Sequence, residues 1–131
     1  MNSNKKRIIS IWLYSGLILV VVMVVIGGIT RLTHSGLSMV EWKLIGGTIP
    51  PLNETDWQEA FTKYQQFPEY QKINKGMSLT EFKVIFFWEY LHRLLGRIIG
   101  LVFIIPFLLF WKKKWLDKKL KKQLIFLLLL G

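Results

Sequence analysis

The chain has 131 residues and 15.5 kDa, with 52% apolar and 15% aromatic residues, 18 Lys and Arg against 8 Asp and Glu, and no cysteine. That composition excludes a disordered tail, which lacks apolar and aromatic groups to bury, and it excludes disulfides, thiolate metal sites and cysteine nucleophiles. The net charge of +10 sits at the borders of apolar runs, where basic residues set membrane orientation, so no nucleic-acid partner is expected.

The first run, Ile8 to Ile29, holds about 22 uncharged residues, enough to cross a hydrocarbon core of ~30 Å at about 1.5 Å per residue. Lys5, Lys6 and Arg7 precede it, so a secretory signal peptide competes with an uncleaved span. The stretch is longer than the usual ~7–15 residues and no A-x-A-like site follows, which favours a span. Trp12 and Tyr14 near its inner end suit a membrane interface.

Thr30 to Lys83 follows, about 54 residues whose six basic and six acidic groups cancel. So long a connection is expected to be structured or functional. Thr55 with Gln58 reads as a capping box, and Trp57, Phe61 and Tyr64 fall at i, i+4, i+7. The spacing predicts a short amphipathic helix over about 56–66, ended by Pro68. Such a helix could cover a site or simply anchor at the interface. Asn53-Glu54-Thr55 matches a glycosylation sequon, a pattern common by chance.

The second run, 84–111, carries Glu89, His92, Arg93 and Arg97. Ser78 and Glu81 form a capping-box pattern at its start, with Met77 and Phe82 at staple positions. Pro106 removes one backbone hydrogen bond from its inner half. A basic stretch, 112–122, comes next as a loop, and the run from 123 reads as the start of a third span cut short. The chain is therefore expected to be the front part of a longer protein. Three basic residues before span one and seven after span two place the N-terminus in the cytoplasm of a multi-pass cell-membrane protein. The expected fold class is all-α, a polytopic helical bundle in the lipid bilayer.

Energy decides how the second span is read. Three formal charges cost about 2.5–3.5 kcal/mol each, roughly 8–10 together, while its many Leu, Ile, Val and Phe residues return roughly 8. A helix so balanced does not face lipid all round. On a helical wheel Glu89, His92, Arg93, Gly96, Arg97 and Gly100 share one face of roughly 140°. Spacing leaves three readings open. Glu89 and Arg93 can be an internal i, i+4 pair with His92 bonded to a neighbouring helix. His92 can ligate haem iron, with arginines on the propionates and Glu89 moving protons. The face can also line a proton or ion path. Arg31 is either a border charge or a reach toward an outer anionic group. His34 reads as a solvated loop residue.

GGITRLTHSGLSMVEWK (Gly27 to Lys43), GGTIPPLNETDWQEAFTKYQQFPEY (Gly46 to Tyr70) and GMSLTEFKVIFFWEYLHRLLGRIIG (Gly76 to Gly100) resemble the haem A synthase family. WEYLHRLLGR joined to RLTHSGLSM is far more specific than a lone Glu-x-x-His, and the likeness covers about Gly27 to Pro106. It implies an eight-helix membrane protein of two four-helix halves that oxidises a ring methyl of haem O to a formyl group, giving haem A for a terminal oxidase. The front half would hold the substrate and the back half a haem b cofactor. By that resemblance His92 is an axial iron ligand and Glu89 assists proton removal or water activation. Arg31, Arg93 and Arg97 as propionate or site-stabilising partners rest on geometry rather than on the resemblance. Expected partners are haem O and haem A, the bilayer, haem O synthase, an electron donor and oxidase assembly proteins, with a homo-oligomer left open. The alternative is a haem-carrying membrane cytochrome without chemistry on the ring. The sequence departs from the family pattern at His34 and lacks the paired loop cysteines of one branch. It stops before the partner histidine, so the fragment alone is expected to be inactive.

Overall fold

The computed structural model describes residues 2–131. Its helices are α1 (Ser3–Leu32), α2 (Glu54–Gln65), α3 (Pro68–Lys72), α4 (Leu79–Lys112) and α5 (Lys118–Leu130), with one 3₁₀ turn at Gly46–Thr48 and no strand among the described residues. Helices α1 and α4 are long and apolar enough to cross a membrane. The chain divides into two compact units, one of Val22–Gly96 and one joining the chain up to Val21 with Arg97–Gly131.

In the Val22–Gly96 unit, α1 ends in a Schellman arrangement. Ser35 N–H donates to Thr30 O at 2.9 Å and His34 N–H to Arg31 O at 3.2 Å. The residue between must be left-handed, and His34 takes that place with φ 53°. His34 is therefore an exposed helix-ending residue. The chain then runs back over α4 through Ser38 and Met39.

Helix α2 starts earlier than its spacing suggested. Asn53, not Thr55, is the cap, its side chain accepting from Asp56 N–H at 2.8 Å. An Asn outranks a Thr at this position, and the two extra residues bring Glu54 and Asp56 to the positive end of the helix. Pro68 then opens α3 at its first turn, where no N–H is needed. Phe61 and Tyr64 face inward and both stack on Phe82, with ring centroids 5.0 and 5.2 Å away. Met39, Ile85 and Phe86 complete this buried cluster, and Trp57, Tyr70 and Met77 pack on it. Each such aromatic removed from water contributes about 1.5–3 kcal/mol, which holds α2 against α4. The start of α4 is a reciprocal capping box. Glu81 N–H donates to Ser78 Oγ at 3.2 Å and Ser78 N–H to Glu81 Oε2 at 2.8 Å.

In the other unit, Ile9, Trp12, Phe107 and Leu124 form the core. Pro106 lies inside α4 and leaves Val102 O without its helical donor. The Trp12 indole N–H supplies the missing bond at 2.7 Å. Helix α4 closes with a second Schellman arrangement. Trp115 N–H donates to Phe110 O, Lys114 is left-handed at φ 56°, and the Phe110 and Trp115 rings stack at 5.5 Å. The basic stretch is not a loop throughout, because Asp117 accepts from Leu120 N–H and starts α5 at Lys118. Lys118, Lys119, Lys121 and Lys122 are helical, so α5, expected as the start of a third span, begins five residues before 123.

Candidate functional site

Glu89 is the deepest charged residue of the Val22–Gly96 unit, 3% exposed. An apolar helix carries it one turn from His92, and the loop leaving α1 returns to cover it. Its Oε2 accepts from Met39 N–H at 2.6 Å and lies 2.9 Å from Ser38 Oγ. Its Oε1 accepts from Arg93 Nη2 at 2.5 Å, and the same nitrogen lies 3.3 Å from Met39 O. Four lone-pair sites with three donors make this a well-satisfied carboxyl, which is what lets so polar a group stay buried. The i, i+4 pair foreseen as one reading is therefore present, with two loop donors added to it.

His92 points elsewhere. Its Nε2 lies where it would be 3.2 Å from a Cβ built on Gly27 of α1, so the imidazole occupies space that only a glycine leaves open. One turn further along each helix, Gly96 faces the Met23 methyl at 3.4 Å from its own would-be Cβ. Gly100, placed on the same face by the wheel, meets nothing within 4 Å. Thr30 Oγ1 lies 2.8 Å from Ile26 O and 3.3 Å from Trp88 O, on the same side of α1. Small and hydroxyl-bearing residues of α1 thus meet the polar stripe of α4.

The remaining arginines differ in setting. Arg31 is exposed in the last turn of α1 and is not among the partners of Glu89. Arg93 is half-buried and already serves Glu89 and Met39, although a guanidinium keeps further N–H donors. Arg97 belongs to the other unit, where it is half-buried.

As a donor set these residues fit a haem in kind. An imidazole suits iron, and guanidinium groups suit propionates. In this conformation the His92 Nε2 is turned to Gly27, so that nitrogen meets iron only after the ring turns away or α1 shifts. Among the described residues no cluster of three or more His, Cys, Asp or Glu could hold a bare metal ion.

Outside Glu89 a groove of about 430 Å³ opens between the loop and α2, lined by Ser38, Met39, Pro50, Pro51, Lys63 and Phe86 among others. Lys63 bridges Glu41 at 2.9 Å and Glu59 at 2.8 Å along its rim. The hydrogen bonds from Lys63 and Lys43 hold Glu41 below the usual carboxylate range, and Glu41 with Glu59 raises Lys63 in turn. These groups are exposed, so salt weakens the network. Tyr64 of the buried aromatic cluster is pushed up to about 12, chiefly by burial. Burial likewise raises Glu69, which accepts from the Tyr64 hydroxyl at 3.2 Å.

The sequence reading missed Ser38, the Met39 amide and the seat of His92 on Gly27. Ser38 and Met39 do lie within RLTHSGLSM, but nothing in that string says that the loop folds back on Glu89.

A family model described as "Cytochrome oxidase assembly protein" matches residues 10–131. A heme A synthase of Nitrosospira multiformis is 59% identical over 126 residues, covering 96% of this chain and 35% of that protein. Heme A synthases of Brucella ovis and Brucella suis are each 49% identical over 130 residues, 99% of this chain and 36% of theirs. The chain thus spans about a third of the length of the curated relatives it matches. No solved structure matches it.

Proposed function

The chain belongs to the cytochrome oxidase assembly protein family, and we propose that it is the haem-O-holding part of a haem A synthase, where a ring methyl becomes a formyl group. The product, haem A, would go to a terminal cytochrome oxidase. The observation that carries this reading is Glu89 and His92 one turn apart on an apolar helix, the acid buried and held by three donors. Such an acid is positioned at the cost of desolvation, which a purely structural span has no need to bear.

In this reading His92 is an axial ligand to the substrate iron. Arg31 takes a propionate from the outer end of α1, and Arg93 and Arg97 add positive charge along the stripe. Converting CH₃ to CHO with oxygen from water releases four electrons and four protons, so a carboxyl beside the ring has protons to take. Glu89 fills that role. The four electrons leave to an electron-accepting partner. A haem b would lie in the part of the protein beyond this chain. The protein spans the cell membrane several times with its N-terminus in the cytoplasm, supported by the lysines flanking α1 and α4. Haem O synthase, oxidase assembly proteins and a second copy of the protein itself are its proposed neighbours.

In the full-length protein, His92→Leu should change the haem spectrum and abolish haem A formation. A normal haem A yield from that variant would refute the assignment. Glu89→Gln should leave haem bound but unconverted. Unaltered conversion there would favour a haem-carrying cytochrome without ring chemistry.

A further inference from the structure

Three donors converge on Glu89, and they are not equivalent. Met39 N–H and Arg93 Nη2 can only donate. Ser38 Oγ carries one proton and two lone pairs, yet it lies within reach of three oxygens: Ser35 O at 2.7 Å, Ile85 O at 3.1 Å and Glu89 Oε2 at 2.9 Å. One proton cannot serve all three at once. With Glu89 ionised, the hydroxyl donates to Oε2. With Glu89 protonated, its O–H can donate to Ser38 Oγ while the serine proton turns to Ser35 O or Ile85 O. Both arrangements leave every group paired, so neither incurs the cost of an unsatisfied buried polar atom. Ser38 is itself 1% exposed, so water does not take over this role.

We propose that Ser38 is the positioning residue of the Glu89 carboxyl, its hydroxyl rotating between Glu89 and the carbonyls of Ser35 and Ile85 so that the acid keeps its place as a proton arrives and leaves. This rests on the reading of Glu89 as the proton-handling group. Arg93 on its own helix and Tyr64 on α2 are the charged and titratable groups facing Glu89 among the described residues. The loop from α1 presents only the Ser38 hydroxyl and the Met39 main chain. Neither the Arg93 guanidinium nor the Met39 N–H can accept a hydrogen bond from the protonated carboxyl, which leaves the serine as the adaptable member.

The experiment uses the full-length protein with Ser38→Ala, Ser38→Thr and Glu89→Gln. Haem content, haem A conversion across pH and the infrared carboxyl stretch that Glu89→Gln removes are read together. Ser38→Ala should keep haem content, lose roughly tenfold to a hundredfold in conversion, shift the pH profile and move the carboxyl band to higher wavenumber. Ser38→Thr, which keeps the hydroxyl, should restore the band and most of the conversion. Should Ser38→Ala lose haem, the threonine variant decides: a wild-type band with conversion supports the proposal, and a displaced band overturns it. Wild-type conversion in Ser38→Ala, or lost conversion with an unmoved band, also overturns it. Full conversion in Glu89→Gln instead sinks the underlying reading of Glu89, so the two failures are told apart.

Discussion

The His92 imidazole rests on Gly27 of α1, its Nε2 3.2 Å from where a side chain at that glycine would begin. A Cβ there forces the ring or the helix to move, whereas Gly28, the next residue, has nothing within 4 Å. Adding a methyl to a packed site costs about 1–3 kcal/mol, while Gly to Ala in an open helical position gains up to about 1 kcal/mol. Gly27→Ala should therefore lower the melting temperature of the protein in detergent and alter its haem spectrum. Gly28→Ala should leave the spectrum alone and hold or raise the melting temperature. Equal behaviour of the two variants would show that His92 does not depend on this seat.

The start of α2 tests how well local chemistry is read. Asn53 accepts from Asp56 N–H at 2.8 Å and heads the helix, while Thr55 lies inside it and exposed. Removing a cap of this type costs about 0.5–2 kcal/mol. Asn53→Ala should destabilise α2 by that amount in hydrogen exchange, and Thr55→Ala should change little. The opposite order would restore the Thr55 cap.

Much of this molecule is local and so legible in the chain. The Ser78–Glu81 box needs only a three-residue spacing, and both of its hydrogen bonds are made. The i, i+4 relation of Glu89 and Arg93 follows from helix geometry in the same way. What could not be read depends on pairs far apart in sequence. Ser38 and Glu89 are 51 residues apart, and no periodicity relates them. The wheel gave Gly96 and Gly100 one face but could not say that only Gly96 meets a neighbour, the Met23 methyl. At His34 and Lys114, non-glycine residues end helices in the left-handed region, so the usual glycine stop signal was absent.

Tyr64 gives the aromatic cluster a pH limit. It is wholly buried against Phe82, donates toward Glu69 Oε1 at 3.2 Å and accepts from Asn74 Nδ2 at 2.8 Å. Burial pushes its phenol from 10.0 up to about 12. With the folded value above the unfolded one, the unfolded chain loses the proton first. The contribution is complete below about 10 and disappears as pH rises toward about 12. Near-ultraviolet dichroism should fade across that window together with late tyrosinate absorbance. Tyr64→Phe, at a cost of about 1–2 kcal/mol for its hydrogen bonds, should remove this alkaline step. Persistence of the same step in the variant would assign it to another group.

Trp12 and Pro106 should behave as a coupled pair because both bear on the Val102 carbonyl. Pro106 has no N–H to give Val102 O, and the Trp12 indole N–H takes that place at 2.7 Å. Trp12→Phe keeps most of the ring contact with Phe103 and Phe110 but leaves the carbonyl short of a donor. An unsatisfied buried carbonyl costs about 1–3 kcal/mol, more in a site without water. Pro106→Ala supplies a helical N–H to the same carbonyl. Trp12→Phe should then cost about 1 kcal/mol less in the Pro106→Ala background than in the native one. Thermal denaturation of the four proteins of this double-mutant cycle measures that difference, and simple additivity would mean that Trp12 contributes packing alone.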